Sequence, residues 1–296
     1  MFNRLNIRLI FVIFVSLLIL VMVVHLFDAQ RGERTFRSNL FDLDTADVTR
    51  LVINPKGVDK PNVVFTRQDQ IWSVGDDETK YTADQQAVRD LLSTLSSLEA
   101  ERVASKDKDN WKRYEVTDSL ATIVTAQTNK DEQEIYIGRF SYTQPRQVQP
   151  NPYAQQGKMT TFVRRGDDAE VYAVEGFLGM TFNRDLNNFR VKTVIKSNQF
   201  DWRSLHFNYP DSSFKLMAEE TQWMVDGINA DSAAVADYLK QIASLTSTDF
   251  VSSHVVQGES VFSLEIKGQN MNEPIIIDAY RKNNNDGFIL HSSQNP

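Results

Sequence analysis

Residues 71–98 read IWSVGDDETKYTADQQAVRDLLSTLSSL, and residues 222–245 read QWMVDGINADSAAVADYLKQIASL. Each passes from a short strand pattern around a tryptophan, through an acidic and turn-rich stretch, into an apolar stripe. Val88, Leu92, Leu95 and Leu98 in the first stretch, and Val235, Leu239, Ile242 and Leu245 in the second, recur at the spacing of one helix face. Asp90 and Ser97 fall on Asp237 and Ser244 in the same alignment. A duplication of this kind is weighed before any catalytic motif, because a missed repeat misassigns the whole architecture.

The likeness extends upstream. Phe36-Arg37 and then Leu51 match Phe189-Arg190 and then Leu205, and both lead into strand-like runs, DVTRLVIN at 47–54 and WRSLHFNY at 202–209. The offset between copies shortens between elements and stays constant within the helix, as insertions confined to loops would make it. Val103 and Phe250 follow the two helices at the same distance and open the next extended segments. The first copy is expected to hold strands at 48–53, 63–66 and 70–74, a helix at 83–98, then strands at 120–126, 134–138, 161–164 and 171–174. The second is expected to hold strands at 202–208, 214–218 and 222–225, a helix at 231–245, then strands at 261–266, 274–280 and 288–291. Asn285-Asp286-Gly287 reads as the hairpin turn before the last strand. The expected class is α+β: two related antiparallel repeats with one main helix each, at 36–188 and 189–296.

The segment 142–157 stands apart, with Pro145, Pro150 and Pro152 among glutamines, and reads as a long loop. Tyr142, Arg146 and Tyr153 within it are the candidate interaction residues, because Tyr and Arg are enriched at binding hot spots. A merely solvated loop is the plainer reading of the same residues. Trp72 and Trp223 could mark a binding stripe in both copies, but each stands two residues before a valine, and an inward-facing strand explains that spacing more simply.

Residues 9–27, LIFVIFVSLLILVMVVHLF, are interrupted only by Ser16 and His25. At about 1.5 Å per residue such a run crosses a hydrocarbon core of ~30 Å. It exceeds the apolar region of a cleaved signal peptide, and Phe27 stands where a small residue belongs before a cleavage site. Residues 1–35 are therefore expected to be an uncleaved signal anchor with its juxtamembrane segment, in contact with the bilayer through 9–27. Arg4 and Arg8 on one side face Arg31, Arg34 and Arg37 on the other, so flanking charge is nearly balanced. The short head before a large remainder sets the expectation: a single-pass protein of the cytoplasmic membrane with its bulk on the periplasmic side.

The net charge is −7, and Arg4 and Arg8 are the only charged residues before Asp28, so the remainder is more acidic still. That argues against nucleic acid, which needs concentrated Lys and Arg. The chain has no cysteine, which removes disulfides, thiol nucleophiles and Cys-ligated metals. His206, His254 and His291 show no metal-ligand spacing, and no GxSxG, Walker or GxGxxG motif occurs. Asp42, Asp44 and Asp47 form a DxDxxD cluster, but Ile53 stands where an EF-hand has its bidentate glutamate, so turn residues are the simpler reading. No catalytic, cofactor-binding or metal-ligating residue is assigned.

The segments 71–74 (IWSV), 88–105 (VRDLLSTLSSLEAERVAS), 111–116 (WKRYEV), 162–178 (FVRRGDDAEVYAVEGFL) and 187–195 (NNFRVKTVI) together resemble the domain-of-unknown-function family 4340. That family has a tryptophan strand, a helix, a Tyr-Gly-Leu-like segment and a VY-x-V strand leading to FRDKTL. Here Tyr114-Glu115-Val116 stands in place of Tyr-Gly-Leu. The resemblance implies a membrane-anchored companion of ABC transporters of the gliding-motility auxiliary type, partnered by a permease or an auxiliary subunit. It implies no catalytic residues. The expected function is thus a non-enzymatic accessory or scaffold, the alternative being an envelope enzyme or glycan-binding module that uses dispersed carboxylates.

Overall fold

The computed structural model describes residues 38–57, 60–76, 79–144, 157–220, 222–251, 258–282 and 287–295, together with Phe14, Ser16 and Leu17. Those last three are helical and exposed; the rest of the anchor expected at 9–27 lies outside the described residues. Among the described residues no helix is long and apolar enough to cross a membrane.

The chain is strand-rich α+β. The first copy runs β1 (Arg50–Asn54), β2 (Val63–Gln68), β3 (Ile71–Gly75), β4 (Lys80–Thr82), helix α1 (Gln85–Ser96), β5 (Ala100–Ser105), a single turn α2 (Trp111–Tyr114), β6 (Thr122–Gln127), β7 (Glu132–Thr143), β8 (Lys158–Arg165), β9 (Val171–Glu175) and the short helix α3 (Leu178–Phe182). The second runs β10 (Thr193–Lys196), β11 (Trp202–Tyr209), β12 (Ser212–Glu219), β13 (Gln222–Val225), β14 (Ile228–Asn229), helix α4 (Ser232–Ile242), β15 (Ser244–Thr246), β16 (Phe262–Gly268), β17 (Ile275–Arg281) and β18 (Phe288–Ser292).

The first sheet has the order β4-β3-β2-β1-β6-β7-β8-β9-β5, and the second β14-β13-β12-β11-β16-β17-β18, with β10 paired to β15 separately. The seven strands of the second sheet repeat the first seven of the first sheet in the same order. Register repeats too: Phe65 faces Val74 and Arg67 faces Trp72 across β2–β3, while Leu216 faces Val225 and Ala218 faces Trp223 across β12–β13. In the first copy β9 lies between β8 and β5. In the second, β10 takes that place by pairing with β15 and joining the C-terminal strand through side chains. Ser292 Oγ donates to the Val194 carbonyl at 2.6 Å, and the Gln294 amide bonds both backbone groups of Lys196.

Both helices form for the same local reasons. The Asp84 carboxylate accepts from the N–H groups of Gln86 and Ala87, and Asp231 accepts from Ala233 and Ala234, so each satisfies two donors that a helix start leaves unpaired. Val88, Leu91, Leu92 and Leu95 of α1 are buried, as are Val235 and Leu239 of α4. The second copy's core gathers Trp202, Leu205, Phe207, Leu216, Ile266, Ile275 and Ile277 beneath α4. Trp202 is fully buried with its indole N–H donated to Ser197 Oγ at 3.0 Å.

By compactness the described chain divides into two units, one of residues up to 48 with 53–59 and 92–183, the other of 49–52, 60–91 and 184–295. In the first of these, the connection between β5 and β6 packs Trp111, Tyr114 and Val116 over Tyr136, Phe162, Val171 and Ala173. Arg164 is buried there, its guanidinium 4.0 Å from the Trp111 ring and 3.7 Å from the Tyr136 ring, with Nε donating to the Val116 carbonyl at 3.1 Å. Glu115, at the end of α2, has φ 58° and ψ 33°, the left-handed geometry that favours glycine. A glutamate thus holds this left-handed position, and it pairs with Lys56. Gly138 passes beneath this turn: a Cβ there would lie 2.3 Å from the Tyr114 carbonyl oxygen.

Candidate interaction surface

The residues singled out in the sequence scatter. Tyr142 is not in the loop but in β7, opposite Met159 of β8, where it is exposed; the strand pairing continues through Thr143–Lys158, so the loop begins only at Gln144. Arg146 and Tyr153 lie outside the described residues. Asp42 binds Arg165 Nη1 at 2.8 Å, and Asp44 closes a turn by accepting from Ala46 at 2.8 Å. Arg165 is buried, which alone would lower its basicity; Asp167 at 2.9 Å and Asp42 more than offset this, and its pKa is raised. His206 and His291 sit on β11 and β18, and among the described residues no three His, Asp or Glu gather as metal ligands.

What sequence reading missed is a band of aromatic rings at one end of the second sheet. Phe207 stacks on Phe214 with centroids 4.6 Å apart, Phe214 neighbours Tyr209 at 6.0 Å, Tyr209 meets Phe262 edge-on at 5.6 Å, and Phe262 meets Phe288 edge-on at 4.9 Å. Tyr238 of α4 adds to the band, 6.1 Å from Phe207, and burial raises its phenol pKa, with Tyr209 adding to the rise. Strand order and register explain the row. Phe207, Leu264 and Ile277 stand opposite one another across β11, β16 and β17, and Phe262 faces the small Ala279, which in turn faces Leu290. Phe288 stands opposite Arg281, one diagonal step from Phe262, and the small Ala279 leaves room over β17 for the two rings to touch.

Much of this band is open to solvent. Tyr209 is 44% exposed, Phe288 49% and Leu290 51%, since α4 is short and covers only the other part of the face. Period-two alternation in Phe207/Tyr209 and in Phe262/Leu264 was visible in the sequence, but nothing there placed β16 beside β11.

Two shallow grooves are also present, neither lined by residues of the band. One of about 570 Å³ is lined by Arg89, Lys192 and Lys196 along with Asp84, whose carboxylate caps α1. The other, about 340 Å³, is lined by Glu99, Glu101 and Glu175, with Glu101 held by Lys158 at 2.6 Å.

Residues 72–261 match the model of the family described as domain of unknown function, DUF4340. The chain belongs to this family. No curated protein and no solved structure matches it. The match starts at Trp72 of β3 and ends just before β16, so in this DUF4340 chain the family segment takes in the Trp111–Arg164–Tyr136 stack, the α2 turn with Glu115, and both capped helices. The β16–β18 side of the aromatic band lies beyond it.

Proposed function

We propose that this DUF4340 chain is a non-enzymatic accessory or scaffold protein, held by residues 9–27 as a single-pass anchor in the cytoplasmic membrane with its bulk on the periplasmic side. Its partner is a membrane complex of the ABC-transporter type, met through a permease or an auxiliary subunit. The observation that carries the docking reading is the aromatic band, where Tyr209, Phe288 and Leu290 are all near half exposed on a sheet face that a helix covers only in part. Exposed contiguous aromatic surface on a folded chain marks an interaction site, and aromatic residues dominate interface hot spots. An anchor confines both partners to one plane and raises their effective concentration, so a modest interface suffices.

The test is recovery of partners by tagged full-length protein in mild detergent, comparing the natural chain with a Phe288→Ser/Leu290→Ser variant. The natural chain is expected to bring down a permease, ATPase or auxiliary subunit, and the variant to lose it. Recovery of none under conditions that preserve other transporter complexes overturns the reading. Replacement of 142–157 by a Gly/Ser linker tests Tyr142, Arg146 and Tyr153 separately. Protease added to intact spheroplasts should digest the bulk, and protection until lysis would reverse the topology.

A further inference from the structure

In the first copy, the end of the β3–β4 hairpin is completed by a segment from the start of the second copy. Val191 donates its N–H to the Thr82 carbonyl at 3.1 Å, Asp84 donates to the Phe189 carbonyl at 2.7 Å, and Ala83 and Arg190 form an antiparallel bridge. The side chains follow the backbone. Phe189 is 2% exposed with its ring edge-on to Phe65 at 5.2 Å, and the Arg190 guanidinium lies 3.5 Å from the Tyr81 ring.

The second copy presents the same edge. Ala230 donates to the Trp223 carbonyl as Ala83 does to Trp72, and Met224 faces Asn229 as Ser73 faces Thr82. Asn229 and Asp231 are thus the counterparts of Thr82 and Asp84. Among the described residues nothing pairs with the Asp231 N–H or with the outward side of Asn229. The apolar groups beside this edge are correspondingly bare: Ile228, at the Tyr81 position, is 74% exposed, and Trp223 and Val225 are half-buried where Trp72 and Val74 are buried. An open edge flanked by uncovered apolar residues is a template for strand addition.

The chain itself carries the matching insert twice. Phe189-Arg190 heads the second copy and Phe36-Arg37 heads the first. The residues after each behave alike: Asn39 bridges Glu99 with Leu40 donating to the Leu98 carbonyl, as β10 pairs with β15 and Thr193 faces Thr246. Phe189-Arg190 serves the edge of the first copy. We propose that the edge at 228–231 binds residues 36–38 of a second molecule of this chain, with the phenylalanine set against Val225 and the helix start, and the arginine over Ile228. The contact is heterologous, so each added molecule offers the same free edge and assembly proceeds head to tail. It uses an edge rather than the aromatic band, and stands or falls independently of transporter docking.

The experiment places a photo-crosslinking benzoylphenylalanine at the exposed position 228 in full-length protein. Two differently tagged forms are co-expressed, the crosslinked species is isolated through both tags, and the joined peptides are read by mass spectrometry. A crosslink from 228 of one molecule to the 36–38 region of the other is expected. Phe36→Ala in the partner should cut the yield roughly tenfold, as loss of a single aromatic anchor does. Independently, Ile228→Asp, at a position too exposed to threaten folding, should abolish co-purification of the two tags. Crosslinks confined to one molecule, crosslinks to a different protein, or a yield indifferent to Phe36→Ala would each overturn the proposal.

Discussion

The backbone N–H of Ala230 donates to the carbonyl of Trp223 at 2.8 Å, and in the first copy Ala83 and Trp72 make the same bond at 3.1 Å. This bond ties the tryptophan strand to the residue just before the helix cap, so strand and helix are fixed to each other at one point in both copies. Yet the two rings differ in cover: Trp72 is 5% exposed and Trp223 is half-buried. Trp72→Ala is therefore expected to destabilise by roughly 3–5 kcal/mol, the cost of deleting a buried aromatic. Trp223→Ala should cost about 1–2 kcal/mol, between that figure and a surface change. Denaturant unfolding of the two variants reads the difference, and equal costs would mean that the rings are equally buried in solution.

The caps give a second comparison. Asp84→Ala and Asp231→Ala each remove an acceptor for two backbone donors, and each should cost about 1 kcal/mol. They touch separate helices, so the double variant should lose the sum to within about 0.5 kcal/mol. Thermal or denaturant unfolding of the three variants checks this, and a cap loss near zero would mean that its helix is held by packing alone.

Glu115 occupies a left-handed position in which a side chain is strained. Glu115→Gly relieves the strain but loosens the unfolded chain and gives up the exposed Lys56 pair, so a net gain of about 0.5 kcal/mol is expected. Gly138→Ala acts in the opposite sense. Its Cβ would sit 2.3 Å from the Tyr114 carbonyl oxygen, and the turn must shift; a loss above about 2 kcal/mol is expected. The midpoints of urea unfolding should move in opposite directions.

The two stretches from tryptophan strand to capped helix were legible because they rest on local chemistry: tryptophan, turn residues, cap and helix stripe lie close together in sequence. The helix expected at 231–245 nevertheless stops at Ile242, and Leu245 of the expected stripe is exposed in β15, where pairing with β10 takes over. Short edge strands such as β4, β10, β14 and β15 were not legible, since two to four residues carry no periodicity and exist only through their partners. Tyr142 was assigned to a loop because Pro145 lies so close, whereas ladder pairing with Met159 extends β7 past it. The aromatic band was out of reach for a different reason. Phe262 and Phe288 meet only across an intervening strand, and the order of strands in a sheet is a long-range property that alternation along each strand does not encode.

The stack of Arg164 on Tyr136 gives the molecule a defined response to alkali. Burial raises the Tyr136 phenol from its ordinary 10 to about 12, Glu134 adds to the rise, and a hydrogen bond from Arg164 opposes it. The folded chain thus holds this proton more tightly than the unfolded chain does. The resulting stability is complete below pH 10 and is lost as the pH climbs through about 12. Tyr172, also raised by burial and by its bond to Asp168, titrates later in the same direction. For Tyr136 alone the loss amounts to about 2–3 kcal/mol across that window, two pH units of differential binding. Tyr136→Phe keeps the ring against Arg164 and removes the titrating proton, so unfolding free energies measured from pH 9 to 12 should fall less steeply in the variant. Parallel curves for the two proteins would show that the Tyr136 phenol titrates as freely in the folded chain as in the unfolded one.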